Sequence, residues 1–381
     1  MWISHWIISN LAGERQMNEY DLGALVKPLC LWYEQNKRSM PWRDDATPYH
    51  VWLSEIMLQQ TRIEAAKAYY ARFIDRLPDV EALAGVTEEE LLKLWEGLGY
   101  YNRARNLQKT AKILVEKYEG RLPADYGLLL ELPGIGSYTA GAVASIAYGI
   151  PAPAVDGNVL RVTMRYLGCD DDISKTGVRK KMERSIMDII PRDKPGEFNQ
   201  ALMELGEVIC IPNGMPLCEE CPVASGCLAR KSGRQTELPV KPEKKKRRIE
   251  RRTVLVLERQ GKIAVRKRPS RGLLANMWEF PSLDGYLTRA QVCRMFCEES
   301  GKGGEIRQLQ DGRHIFSHVE WHMKGYEIIL EDRVPQDIVA GLVWVKREEL
   351  ESRYAVPVAF HPFLRQLLGQ KEPVSGSVRL F

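Results

Sequence analysis

Residues Leu132–Ala142 read LPGIGSYTAGA. Pro133 cannot continue a helix arriving from upstream, Gly134 and Gly136 permit backbone conformations closed to a residue with a Cβ, and Ser137 suits the N-cap of a helix built from small residues. The reading is a helix, a tight glycine hairpin and a second helix. Free amides at the head of that second helix can hold an anion without any side chain reading a base, and we read the anion as DNA phosphate. Without a ligand, the same stretch is a helix-turn-helix that only packs.

Working outward, residues 21–230 carry a helical pattern throughout. Thr47 before Pro48 starts the helix YHVWLSEIMLQQT, and on it Glu55 has Val51, Trp52 and Leu58 among its four neighbours at helical spacing. Its carboxyl loses water if that face is covered. Thr87 and Glu90 form a capping box before LLKLWEGL, and Gly97 and Gly99 end that helix ahead of Tyr100 and Tyr101. Downstream of the hairpin, Pro151 and Pro153 lead into AVDGNVLRVTMRYLG, where Asp156 stands at the N-cap of a new helix. Two further helices, near 177–190 and 196–209, run into a cluster of cysteines.

At 381 residues the chain exceeds one ordinary core, so two or three domains are expected. The net charge of +5 is mild, but much of the excess sits in KSGRQTELPVKPEKKKRRIERR from Lys231, which reads as a linker or solvated tether. Beyond it the periodicity changes from helical to alternating. TVLVLERQGKIAVRKRP reads as two strands joined near Gln260 and Gly261; HIFSHVEWHMKGYEIIL and GLVWVKREEL alternate similarly, with one helix near 288–299. No apolar run is long enough to span a bilayer, so no membrane partner is expected. The start, MWISHWIISNLAG, lacks a signal-peptide pattern, and Met17 is an alternative first residue.

Two carboxylates and four thiols carry the chemistry. Glu55, among apolar neighbours, should have a raised pKa and serve as a general acid, whereas Asp156, at a helix N-terminus, should stay anionic. An acid beside a carboxylate suits cleavage of a glycosidic bond through an oxocarbenium-like state. Of eight cysteines, four follow C-x7-C-x2-C-x5-C at Cys210, Cys218, Cys221 and Cys227. Four thiolates in one short loop fit a [4Fe-4S] cluster or a structural zinc, and such use of cysteine fits a reducing compartment. Arg230, Lys231 and Arg234 just beyond could present positive charge to a phosphate.

Hairpin, aspartate and cysteines occur in the order of the helix-hairpin-helix DNA glycosylases related to endonuclease III. Within that superfamily SEIMLQQT, GLGYYNRA, LPGIGSYTAGA and VDGNVLRV resemble the adenine DNA glycosylases of the MutY type. The resemblance implies an all-α helix-hairpin-helix core of two helical lobes with an iron-sulfur loop, followed by an α+β Nudix-like C-terminal domain. It divides the chain into an N-terminal extension (1–17), an iron-sulfur lobe (18–39 with 151–230) and a six-helix lobe (40–150). A basic linker (231–252), a Nudix-like lesion-recognition domain (253–369) and a tail (370–381) follow.

By the same resemblance, Glu55 protonates the leaving adenine and Asp156 stabilises or transiently bonds the sugar cation, with Tyr138 and Asn158 lining the reaction centre. Bifunctional relatives carry a lysine at the position of Tyr138; a phenol cannot form the Schiff base, so a monofunctional enzyme leaving an abasic site is expected. Trp42, Arg43 and Leu58 would line the adenine pocket. Gln60, Thr61, Tyr100, Leu132, Gly134, Gly136 and Ser137 would contact DNA, with Gln60 and Tyr100 as wedges where the base is flipped. Phe316, Ser317 and His318 stand at the loop that senses 8-oxoguanine. The four cysteines would hold a [4Fe-4S] cluster, although seven residues, IPNGMPL, separate the first two where the family usually has six. CRMFCEESG lacks most of the R-E-x-x-E-E-x-G array of metal-binding Nudix enzymes, so pyrophosphate hydrolysis is not expected. The implied substrate is duplex DNA with adenine opposite 8-oxoguanine or guanine, bound by a cytoplasmic, nucleoid-associated monomer. The rivals are a bifunctional glycosylase/lyase and a structural DNA-binding protein that uses the hairpin and a zinc loop.

Overall fold

The computed structural model describes residues 20–243, 246–296, 305–330 and 340–369. The expected N-terminal extension and C-terminal tail lie outside the described residues, as does the end of CRMFCEESG from residue 297. In chain order the helical part comprises α1 (Val26–Asn36), α2 (Pro41–Asp44), α3 (Pro48–Leu58), α4 (Ile63–Arg76), α5 (Val80–Gly85), α6 (Glu88–Leu94) and α7 (Asn102–Lys117). It continues with α8 (Tyr126–Leu130), α9 (Ser137–Ala142), α10 (Gly157–Leu167), α11 (Thr176–Ile189), α12 (Pro195–Val208) and α13 (Leu228–Lys231).

Close contacts divide the chain into two units, residues 1–56 with 121–243 and residues 57–120 with 244–381. In the first unit α1, α10 and α12 share one core. Leu29 of α1, Leu160 and Met164 of α10, and Phe198, Leu202 and Leu205 of α12 are each at most 1% exposed. Burying each such side chain contributes about 1.5–3 kcal/mol before entropy is counted. α10 starts where Asp156 accepts the Val159 amide at 2.8 Å, and it ends at Gly168, whose φ of +57° supplies the left-handed cap. α3 starts as expected, with the His50 amide on Thr47 Oγ1 at 3.3 Å, but it stops at Leu58 rather than running on to Thr61. Gln60 has φ +59°, which no right-handed helix accommodates.

In the second unit α4 to α7 form the helical part. Thr87 caps α6 by accepting the Glu90 amide at 3.2 Å, yet the Glu90 carboxylate pairs with Arg76 at 2.6 Å, so only half of the expected capping box is shown. The sheet comprises β1 (Arg248–Arg259), β2 (Lys262–Lys267), β3 (Trp278–Glu279), β4 (Ser282–Asp284), β5 (Glu305–Ile315), β6 (Val319–Ile329) and β7 (Val343–Lys346). Between and after them come α14 (Arg289–Phe296), α15 (Arg347–Ser352) and α16 (His361–Leu367). The strand order is β3-β2-β1-β6-β5, with β4 also on β1 and β7 on β2. β1 and β6 run parallel; the other pairs are antiparallel.

Gln260 (φ +50°) and Gly261 (φ +72°) make the expected two-residue β1–β2 turn. Alternation along β1 sends Val254 and Val256 to a core with Phe360 and Phe363, and Leu255 and Leu257 to one with Val292 and Phe296. The linker expected over 231–252 is shorter, because β1 already begins at Arg248, where the basic run is paired to β6 at Val319. The alternation of GLVWVKREEL likewise gives out at Lys346, where α15 starts. Polar contacts join helices and sheet within this unit: Asn276 Nδ2 reaches Glu88 at 2.9 Å, Lys267 reaches Glu89 at 3.1 Å, and Lys93 Nζ donates to the Tyr354 carbonyl at 3.1 Å.

Candidate active site

Glu55 is 7% exposed, and Val51 and Trp52 beside it are 2% and 1% exposed. Burial pushes its carboxyl up to about 7; the Tyr138 hydroxyl opposes this by donating to Oε2, the Asp156 charge adds to it and the Arg43 charge opposes it. A carboxyl near 7 holds its proton part of the time at neutral pH, as a general acid must. Tyr138, the second residue of α9, also lies 3.6 Å from Met203 Sδ. Burial and the two carboxylates raise its phenol well above 10, so it stays protonated.

Asp156 accepts the Val159 amide through Oδ1 and Asn158 Nδ2 at 2.9 Å through Oδ2. Burial and capping act on its pKa in opposite directions. Burial raises it, against the lowering by the Val159 and Asn158 amides and the Arg161 charge. Asn158 Oδ1 in turn accepts from Arg161 Nη2 at 2.7 Å, and Arg161 also donates to the carbonyls of Gly206 and Cys210, each at 2.7 Å.

The hairpin divides its glycines by role. Gly134 has φ +79° and needs to be glycine, whereas Gly136 has φ −93°, which any residue adopts, contrary to expectation. Gly136, not Ser137, is the N-cap of α9; Ser137 is its first residue and donates to Glu183 at 2.7 Å. Leu132 and Ile135 are 4% and 5% exposed and pin the turn, leaving Gly134 and Gly136 at the surface. A Cβ on Gly141 would stand 2.0 Å from the Pro153 carbonyl oxygen, so α9 lies directly on the segment that delivers Asp156.

Helix α12 backs this site, which sequence reasoning missed. Asn199 receives the Ala154 amide at 3.2 Å and donates to Ser145 Oγ at 2.9 Å and the Ala152 carbonyl at 2.8 Å, fixing the approach to Asp156. A Cβ on Gly206 would lie 2.7 Å from Asn158 Cβ, so only glycine allows that approach. The mid-helix glycine in MELGEV was the available signal. Trp42 is buried on α2, and the Arg43 guanidinium beside it is bound to Glu204 at 2.8 Å.

Within the second unit, Gln60 and Tyr100 both have positive φ, +59° and +48°, and both are exposed. Leu58 is half-buried and accepts the Thr61 amide at 3.1 Å. Tyr100 and Ser317 meet through their hydroxyls at 2.9 Å. Arg103, also missed, donates to the carbonyls of Met57 (3.1 Å), Gln59 (2.6 Å), Leu98 (2.9 Å) and Gly99 (3.2 Å) and faces the Tyr100 ring at 5.6 Å. One guanidinium therefore ties together the segments that carry Gln60 and Tyr100. The turn between β5 and β6 holds Phe316 edge-on to Trp321 at 4.9 Å and leaves Ser317 and His318 exposed.

Cys210, Cys218, Cys221 and Cys227 line one cavity together with Arg165, Tyr166 and Arg230. All four are free of disulfides, and Arg165 Nη1 lies 3.2 Å from Cys210 Sγ. Burial pushes the Cys221 thiol up to about 11. Among the described residues, no three His, Cys, Asp or Glu gather as ligands to a single metal ion. Arg230 pairs with Glu219 at 2.8 Å, and Arg234 with Asp170 and with Glu237 at 3.0 Å. Arg230 and Arg234 thus each have a surface carboxylate partner, and Lys231 is exposed.

Residues 53–187 match the HhH-GPD superfamily base excision DNA repair protein family, and residues 252–366 match the NUDIX domain family. The human adenine DNA glycosylase is 34% identical over 90% of this chain and 74% of its own length. That of Buchnera aphidicola subsp. Schizaphis graminum is 34% identical over 77% of this chain and 84% of its own. The chain belongs to the adenine DNA glycosylases. The structure of a thermostable thymine-DNA glycosylase superposes with a TM-score of 0.50 at 29% identity, covering 55% of this chain and 96% of that one. This adenine DNA glycosylase combines a helix-hairpin-helix core with a Nudix-like domain on a mixed sheet, and it is an enzyme of base excision repair acting on DNA. Among the described residues, no helix is long and apolar enough to cross a membrane.

Proposed function

We propose that the enzyme hydrolyses the N-glycosidic bond of adenine paired with 8-oxoguanine or guanine in duplex DNA, as a monomer, and leaves an abasic site without strand cleavage. The observation that carries this reading is the buried Glu55 carboxyl, pushed up to about 7 and held by the Tyr138 hydroxyl. Glu55 gives its proton to the departing adenine as the bond from base to sugar breaks, and the bonding pair leaves with the base. Asp156 stabilises the positive charge left on the sugar until water adds, and Asn158 orients Asp156. Trp42 and Arg43 line the adenine pocket in this reading. Tyr138 offers a neutral phenol in place of an amine, so no Schiff base forms.

Gln60 and Tyr100 fill the space left by the flipped base, Thr61 and the hairpin at Leu132, Gly134, Gly136 and Ser137 meet the DNA backbone, and Phe316, Ser317 and His318 read the opposing base. The Tyr100–Ser317 contact supports a link between wedge and reader. The test is single-turnover adenine release from duplexes that differ only in the base opposite adenine, with borohydride added in parallel. Release is expected opposite 8-oxoguanine and guanine and not opposite thymine, with no covalent adduct trapped. No release from any duplex would overturn the reading, and an adduct as abundant as for a known lyase would overturn its monofunctional part.

We further propose a [4Fe-4S] cluster on Cys210, Cys218, Cys221 and Cys227. The donor set fits, because four sulfurs and no carboxylate or imidazole line the cavity. When bound, the cluster supplies a rigid cross-link for a loop with little secondary structure of its own. Purified protein should contain about four irons and four sulfides per chain. Zinc without iron would refute the assignment.

A further inference from the structure

Glu204 is 2% exposed, and the proposed chemistry makes no use of it. It sits on α12 one residue after Met203, whose sulfur touches the Tyr138 hydroxyl. Its two oxygens are both engaged by arginines: Oε1 accepts from Arg38 Nε, and Oε2 from Arg43 Nη2 at 2.8 Å. Arg43 is held at two further points, donating through Nη1 to the Arg38 carbonyl at 3.0 Å and facing the buried Tyr33 ring at 5.9 Å. A guanidinium held on three sides has one place to be. A buried carboxylate is costly unless paired, and here the pairing fixes a cation whose charge favours ionised Glu55.

We propose that Glu204 is a positioning residue for adenine release: next along α12 to Met203, which meets the Tyr138 hydroxyl bound to Glu55, it fixes the Arg43 guanidinium by a buried ion pair and so shapes the charge environment in which Glu55 gives up its proton. The groups facing Glu55 are Asp156 at the head of α10, Tyr138 on α9 and Arg43 on α2. Those facing Glu204 are Arg38 and Arg43, with the Tyr33 phenol beside them. Arg43 favours the Glu55 carboxylate over the acid, so losing Arg43 from its place raises the pH at which Glu55 deprotonates.

The inference rests on Glu55 acting as the general acid, and the experiment separates the two. Single-turnover adenine release is measured against pH for wild type, Glu55→Gln, Arg43→Met, Glu204→Gln and the double variant Arg43→Met/Glu204→Met. The double variant removes both members of the pair together, which buried pairs tolerate better than loss of one. Glu204→Gln should slow release by about 10- to 100-fold and move the alkaline limb to higher pH, as Arg43→Met does. The double variant should be no slower than Arg43→Met, and Glu204→Asp should recover part of the rate. A Glu204→Gln limb that stays at the wild-type pH or moves down would overturn the inference, as would a double variant in which the two losses multiply. If Glu204→Gln does not fold, the comparison of Arg43→Met with the double variant decides alone. If Glu55→Gln still releases adenine, the general-acid reading has failed instead.

Discussion

Glu55→Gln should lose adenine release while keeping duplex binding and gaining stability. Removing a general acid lowers a rate by about 10²- to 10⁴-fold, and the amide is nearly the same size as the carboxyl it replaces. The stability gain follows from the sign of the shift. The folded pKa of about 7 lies above the ordinary carboxyl value of 4.5, so the folded state binds more protons between those limits. The contribution of Glu55 to stability is therefore fully present below about 4.5 and is lost as pH rises through 7. By pH 8 the buried carboxylate costs on the order of 3 kcal/mol at most, which glutamine avoids. Adenine release by the wild type should fall above about pH 7. Melting curves and single-turnover rates at pH 5 and pH 8 test both halves, and a variant that is no more stable at pH 8, or that retains release within a few-fold, would contradict the assignment.

Asp156→Asn should separate a cap from a charge. Asparagine caps helices about as well as aspartate, so the start of α10 and the melting temperature should change little. The negative charge that the proposed mechanism sets against the sugar cation disappears, and a loss of about 10²- to 10³-fold is expected for removing one such preorganised group. Circular dichroism melts beside single-turnover rates give the answer. A large fall in stability with a normal rate would make Asp156 a cap and nothing more.

The local rules made part of this site legible. Helical spacing placed apolar residues on both sides of Glu55, and residue type alone marked Asp156 as a cap. What they missed depends on residues distant in sequence. Asn199 holds the segment that leads to Asp156, and the burial that raises the Asp156 pKa does not follow from its place as a cap. Glu204 meets Arg38 across 166 positions, and nothing in MELGEV announces that partner. Arg103 looks like any helix arginine until Met57 and Gln59 fold back onto it. The glycines of the hairpin were read alike because composition carries no φ; only Gly134 uses the freedom that both possess. In the Nudix-like domain period-two alternation located β1, β2 and β6. It missed the start of β5 at Glu305, where the pattern before His314 is too polar to stand out.

The run of hydrogen bonds from Asp156 through Asn158 and Arg161 to the Cys210 carbonyl limits which substitutions position 161 can accept. Its guanidinium serves Asn158, Gly206 and Cys210 at once from a planar fork. Lysine would keep the charge but present a single ammonium, which cannot meet three acceptors in those directions. An exchange that looks conservative on paper would therefore loosen Asn158 on one side and, on the other, leave the Cys210 carbonyl to Arg165 alone. Arg161 thus couples the carboxylate to the cysteine loop through one side chain, although their residues are far apart in the chain.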